Sequence, residues 1–266
     1  MRLNEFAKNV KETVGAAGPA YEAKVLKAMA AAQVPGLQFE GDTGAGYSSH
    51  GAGDIEAEYN GQPFNIEVKA SINDQMGGGS IAFNGEKWRP SAKLAAGTEI
   101  EDLALIIKAA EGAEPALEAY LKELKTKDPV EFHARNDGIP FVAEYNAREE
   151  LKASGHHKAM NRIVTLDQRY IAGLYNKKNV FYIQVGGAGL FYLGSNPLGL
   201  DVPKFEGTVN VEMRLGFAGT KVKIPGRDDT TARRAEYRCI GRMKTQAKSP
   251  YTLDDSNSIR KLFGQS

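Results

Sequence analysis

Two alternating runs, residues 54–59 and 62–70, flank the dipeptide Asn60-Gly61. Asn-Gly between such runs is the strongest short-range signal for a β-hairpin closed by a two-residue turn. That turn fixes the register: Tyr59 faces Gln62, Ile55 faces Ile66, and Asp54 faces Glu67. Side chains alternate across a sheet, so Ile55, Ala57, Tyr59, Phe64, Ile66 and Val68 share one face. Asp54, Glu56, Glu58, Asn65, Glu67 and Lys69 share the other. One face reads as core, and the other as a carboxylate cluster with one amine.

Carboxylates directly opposite one another have Cβ atoms about 4.5–5.5 Å apart and repel, which weakens the sheet. A divalent cation between them reverses the sign of that interaction. Mg²⁺ takes oxygen ligands and is commonly held by one or two carboxylates together with water and substrate phosphate. Lys69, two residues beyond Glu67 on the same face, is placed to orient a water or to neutralise a phosphate. The hairpin therefore predicts a metal site with a cation beside it.

These residues resemble the motif of the PD-(D/E)XK nucleases. Gly53-Asp54 stands thirteen residues before Glu67-Val68-Lys69, with Gly53 in the place of the eponymous proline. In that family the acid begins one strand and the ExK triplet lies on the next, and a preceding helix often adds a glutamate. Glu22, in Tyr21-Glu22-Ala23-Lys24, resembles that glutamate. An ExK triplet alone carries little: the chain has four, at Glu22, Glu67, Glu123 and Glu150, and only Glu67 lies on a predicted strand with an acid opposite. The resemblance covers residues 19–71 and extends to a predicted helix at 165–176 and the strand after it. It implies a restriction-endonuclease-like α/β core of helix, mixed sheet and helix, and a Mg²⁺-dependent DNA endonuclease, with Mn²⁺ substituting. By the same resemblance Asp54, Glu67 and the Val68 carbonyl bind metal, Lys69 positions or helps deprotonate the attacking water, and Glu22 assists. The products would carry a 5′-phosphate and a 3′-hydroxyl, and a homodimer is expected because many members dimerise to cut both strands.

Elsewhere the sequence predicts a helix over 19–33, opened by Pro19 and ended by Pro35-Gly36, then a short strand at 36–40. Residues 99–125 read as helical, and 165–176 as a helix with Thr165 as its N-cap. Strands are predicted at 180–185, 190–193, 208–217, 221–224 and 236–243. The expected organisation is a core in residues 1–200 with a mostly helical insertion over about 80–160, and a β-rich basic extension over 201–266 that contacts DNA.

Composition narrows the classes. The chain has 266 residues, 34 basic against 33 acidic, with 42% hydrophobic residues, enough to support a core rather than a disordered chain. One cysteine, Cys239, excludes a disulfide framework and a cysteine-based zinc site. Residues 1–14 lack the apolar stretch of a secretory signal, and the longest apolar run, 103–107, is too short to span a membrane. A cytoplasmic setting is expected, such as a bacterium or a phage-infected host, with DNA as partner and no membrane.

Charge clusters late: nine basic residues against three acidic ones lie between Lys221 and Lys248. Arg233, Arg234, Arg238, Arg242 and Lys244 are the candidate phosphate contacts there. Lys87 and Arg89, flanking Trp88, and Ser49 in the Gly/Ser-rich loop 41–53 are further candidates. That loop lacks the GK[ST] ending of a P-loop. His133, His156, His157 and Asn161 lack the context of a histidine-metal nuclease and read as loop residues. Two readings from other classes stand beside the nuclease. One is a non-catalytic nucleic-acid-binding or virion-type structural protein. The other is a metal-dependent enzyme acting on a small phosphorylated substrate.

Overall fold

Alanine-rich sequence and a proline in the first turn favour a helix, and α1 (Ala17–Ala32) buries Val25, Met29 and Ala32 along one stripe. Gln33 at φ 50° and Gly36 at φ 78° turn the chain out of it. The structure, a computed structural model, describes residues 17–41, 53–83, 87–116, 132–134, 140–142, 153, 159–224, 227–244 and 247–264. It is a mixed α/β molecule with two sheets.

The first sheet opens with β1 (Leu37–Gly41), β2 (Ile55–Tyr59) and β3 (Gln62–Lys69), an antiparallel meander. Asn60 at φ 50° and Gly61 at φ 82° make the two-residue turn, and the register runs from Tyr59↔Gln62 to Ile55↔Ile66 as expected. The sheet order is β1-β2-β3-β9-β10, where β9 is Val180–Val185 and β10 is Gly189–Tyr192. β9 runs parallel to β3 and β10 antiparallel to β9.

The apolar face predicted for the hairpin is the core face. Ile55, Ala57, Phe64, Ile66 and Val68 pack with Val25 and Met29 of α1, with Ile259 from a late helix, Ser256–Leu262, and with Phe263 that caps it. Ladder pairing of β2 begins at Ile55, so Asp54 stands just outside it rather than directly across from Glu67.

A second sheet has the order β5-β4-β12-β11-β8, with β7 on β12 and β6 on β7. Its strands are β4 (Gly78–Phe83), β5 (Trp88–Pro90), β6 (Phe132–Ala134), β7 (Pro140–Val142), β8 (Arg162–Asp167), β11 (Thr208–Ile224) and β12 (Arg227–Lys244). Helices α2 (Ala92–Gly97) and α3 (Ile100–Glu111) belong with it. Where it is described, the 80–160 stretch holds helices α2 and α3 and also carries strands of this sheet, β4 to β7. Of glycines 77–79, which punctuate the sequence, Gly78 and Gly79 open strand β4 and are crowded on both sides. A Cβ on Gly78 would lie 2.7 Å from the Cys239 carbonyl oxygen, and one on Gly79 would lie 2.7 Å from Leu94 Cβ. The predicted helix over 117–125 lies outside the described residues.

The helix predicted from Thr165 also changes. Residues 162–167 form β8, paired with β11 from Met213↔Arg162 to Thr208↔Asp167, and helix α4 (Arg169–Asn176) starts later. The consecutive β-branched residues Ile163, Val164 and Thr165 favour a strand. Asp167, not Thr165, receives the helix-start N–H, from Arg169 at 2.9 Å. The late helix Ser256–Leu262 is α5.

The chain divides into two compact units that do not follow a boundary near 200. The first holds residues 1–74, 175–207 and 244–266, and the second holds 75–174 and 208–243. Among the described residues no helix is long and apolar enough to cross a membrane.

Candidate active site

The polar face of β3 belongs to the first unit, at the point where β2 stops short. Since β2 begins pairing at Ile55, the end of β3 lacks a β2 partner, and Asp54 supplies one from its side chain. Asp54 Oδ2 accepts a hydrogen bond from the Val68 N–H at 2.7 Å. Gly53 makes that approach possible, because a Cβ there would lie 2.8 Å from the Ile66 carbonyl oxygen. A proline at this position would meet the same oxygen, which explains why glycine stands there.

Glu67 is 7% exposed, a carboxylate that needs partners. It has two on one oxygen: Lys69 Nζ lies 2.5 Å from Oε1, and the Tyr175 hydroxyl donates to Oε1 at 2.9 Å. Tyr175 sits at the C-terminal end of α4 and was not among the sequence candidates. Its only signal was an aromatic residue near the end of a predicted helix. The second oxygens, Asp54 Oδ1 and Glu67 Oε2, are not engaged by these donors.

Electrostatics join Glu22 to the group. Its carboxyl is pushed above the ordinary range by burial and then by Asp54 and Glu67, with Lys69 opposing. Asp54 is raised by burial and by Glu67, against Lys69, the Val68 N–H and Lys178. Burial works against the Lys69 ammonium, but Tyr175, Glu67 and Asp54 outweigh it and raise its pKa. Lys69 is therefore a fixed positive charge at neutral pH. That suits it to orient water or phosphate and disfavours the expected share in deprotonation.

Behind this face, Gln184 on β9 is fully buried and ties the core side together. Its amide donates to Tyr21 Oη and Thr252 Oγ1, each at 2.9 Å, and its oxygen accepts from the Leu253 N–H at 2.8 Å. Tyr21, beside Glu22, is pushed up to about 12 chiefly by burial. Lys24 pairs with Asp254 at 2.8 Å, so α1 is clasped to the segment leading into α5.

The donor chemistry suits a hard cation: two carboxylates with an oxygen each to offer, the Val68 carbonyl on the same strand, and mutual repulsion to be relieved. Among the described residues no three His, Cys, Asp or Glu side chains are grouped to hold a metal ion. A cation here would thus rely on two side chains, with water completing its shell, as Mg²⁺ commonly does.

The expected DNA contacts fare differently. Lys87 and Arg89 are exposed, but Trp88 is 3% exposed and packs on Phe83 and Tyr237, so it is a core residue and not a base-stacking platform. Arg242 is held by Glu212 at 2.9 Å, whereas Arg238 is exposed, with Gln75 Oε1 3.4 Å away. Arg233 and Arg234 lie on β12, Arg233 opposite Val142, and Lys244 ends that strand. Ser49, His156 and His157 lie outside the described residues. Asn161 accepts from the Leu215 N–H at 3.2 Å, a backbone-stapling role.

No family model, curated protein or solved structure matches the chain.

Proposed function

We propose that the chain is a divalent-cation-dependent DNA endonuclease with a restriction-endonuclease-like core. One observation carries this reading: Asp54 at the mouth of β2 and Glu67 and Lys69 on β3 converge, with Lys69 ion-paired to Glu67. The order α1-β1-β2-β3-α4-β9, with an antiparallel meander and then a strand parallel to β3, supports it as the expected scaffold for that motif.

In this reading Asp54, Glu67 and the Val68 carbonyl hold Mg²⁺, which would make hydroxide accessible near neutral pH and offset charge on the phosphate. The residues of the chain do the rest. The Lys69 ammonium orients the attacking water and balances charge building on the phosphate oxygens. Glu22, its carboxyl held above the usual range, accepts the proton that the water loses. The water oxygen bonds to phosphorus as the bond to the 3′-oxygen breaks, and that oxygen takes a proton from solvent water, leaving a 5′-phosphate and a 3′-hydroxyl.

The test is nicking of supercoiled plasmid with Mg²⁺ or Mn²⁺, with and without chelator. Metal-dependent nicking that Lys69→Ala abolishes while DNA binding persists is the expected result. Salt-sensitive binding with no cleavage of plasmid, linear duplex, single strand, flap or four-way junction overturns it.

A further inference from the structure

We propose that Tyr175 is a positioning residue of this site: its phenol locks the Glu67 carboxylate so that Oε1 stays with the chain's own donors and Oε2 is the oxygen offered to the cation. The inference rests on the nuclease reading and adds to it a residue that the ExK motif does not contain.

The argument begins with burial. Tyr175 is 4% exposed, and a buried phenol requires an acceptor. Here the acceptor is a carboxylate 108 residues away in sequence, on the strand carrying the ExK triplet. Packing alone would be served by phenylalanine. A phenol keeps its proton at neutral pH and can donate it to a carboxylate oxygen, as it does here.

Lys69 donates to the same oxygen. An ammonium on a flexible four-carbon stem can follow either carboxylate oxygen as the group rotates. A phenol on a helix cannot. Tyr175 therefore distinguishes two chemically equivalent oxygens, and Lys69 is kept on the side away from the one left open. Groups that orient a metal-binding carboxylate in this way matter: losing them typically costs about 10–100-fold in metal affinity or activity.

The test titrates Mn²⁺ into the full-length chain without DNA, comparing wild type, Tyr175→Phe and Tyr170→Phe. Tyr170 is the matched control on the same helix: its hydroxyl is buried with no hydrogen-bond partner among the described residues. The expected result is a Kd for Mn²⁺ weakened about 10–100-fold in folded Tyr175→Phe and unchanged in Tyr170→Phe. Plasmid nicking in Tyr175→Phe should lose kcat while KM for DNA holds. Wild-type Mn²⁺ affinity in folded Tyr175→Phe overturns the role of Tyr175 alone, whereas a wild type that takes up no Mn²⁺ overturns the nuclease reading with it. A measurement needing no variant guards against a Tyr175→Phe that does not fold. Saturating wild type with Mg²⁺ should perturb the near-ultraviolet tyrosine spectrum, because a cation on Glu67 weakens the acceptor that Tyr175 uses, and a flat difference spectrum overturns the proposal.

Discussion

Glu22 and Asp54 interact electrostatically with Glu67 and Lys69 around the polar end of β3, and the protonation of Glu22 and Asp54 bears on how the cation-free protein responds to pH. Asp54 and Glu22 both have raised pKa values, burial being the larger cause in each. A carboxyl raised on folding favours the protonated folded state, so its stabilising effect is complete below the ordinary carboxylate pKa and is lost as pH rises through the raised value. In chelator, Tm should therefore climb as pH falls from neutral toward the carboxylate range, until general acid unfolding sets in. Adding Mg²⁺ should raise Tm most at neutral pH, and a Tm that falls monotonically below neutrality in chelator would contradict this. Lys69→Met sharpens the effect by leaving the carboxyls without their counter-charge. It should lose about 3–5 kcal/mol near neutral pH, the usual cost of breaking a buried pair, and recover part of it on mild acidification, as chemical denaturation at two pH values would show.

At the level of elements, what the sequence made legible was local chemistry. Asn60-Gly61 specified turn, register and core face together, because a two-residue turn admits one pairing and a one-residue slip would expose Ile55, Phe64 and Ile66. Gly61→Ala should cost only about 1 kcal/mol in thermal unfolding, since its φ of 82° disfavours a side chain but the surrounding space is open. Gly186, at the end of β9, is a different case. A Cβ there would collide with the Ala70 carbonyl oxygen and lie 3.1 Å from the Tyr21 ring. Gly186→Ala should cost about 1–3 kcal/mol and displace the backbone just after Lys69, so nicking should fall more than stability alone explains. Residues 165–167 read as the start of a helix but belong to β8, because their partner is β11, more than forty residues later, and apolar spacing alone does not reveal such a partner. Tyr175 was not legible for the same reason, its acceptor being fixed by the fold rather than by its neighbours.

For the whole molecule, the expected insertion and residues 208–243 of the expected C-terminal extension are parts of one unit, because β12 lies between β4 and β11 in a single sheet, whereas 244–266 belong to the other unit. Nothing local in 208–243 announces that pairing. It also changes what its charges do: burial raises the Glu212 carboxyl, but Arg242 and Arg214 outweigh it and hold it below the ordinary range. Arg242→Ala is therefore expected to loosen the β11–β12 pair rather than to weaken DNA binding selectively. Arg89→Ala and Arg238→Ala, at exposed positions, should each reduce the salt dependence of DNA binding by about one counterion if they meet phosphate, and titrations at several salt concentrations would read this. The winding of the chain through its two units has a consequence for synthesis. Asp54, Glu67 and Lys69 emerge from the ribosome long before Tyr175, Gln184 and the clasp around Asp254, and the carboxylate that needs them is left unfinished meanwhile. On the proposed nuclease reading, a nascent chain would thus carry Asp54, Glu67 and Lys69 unassembled and without activity, and competence would arrive late in translation.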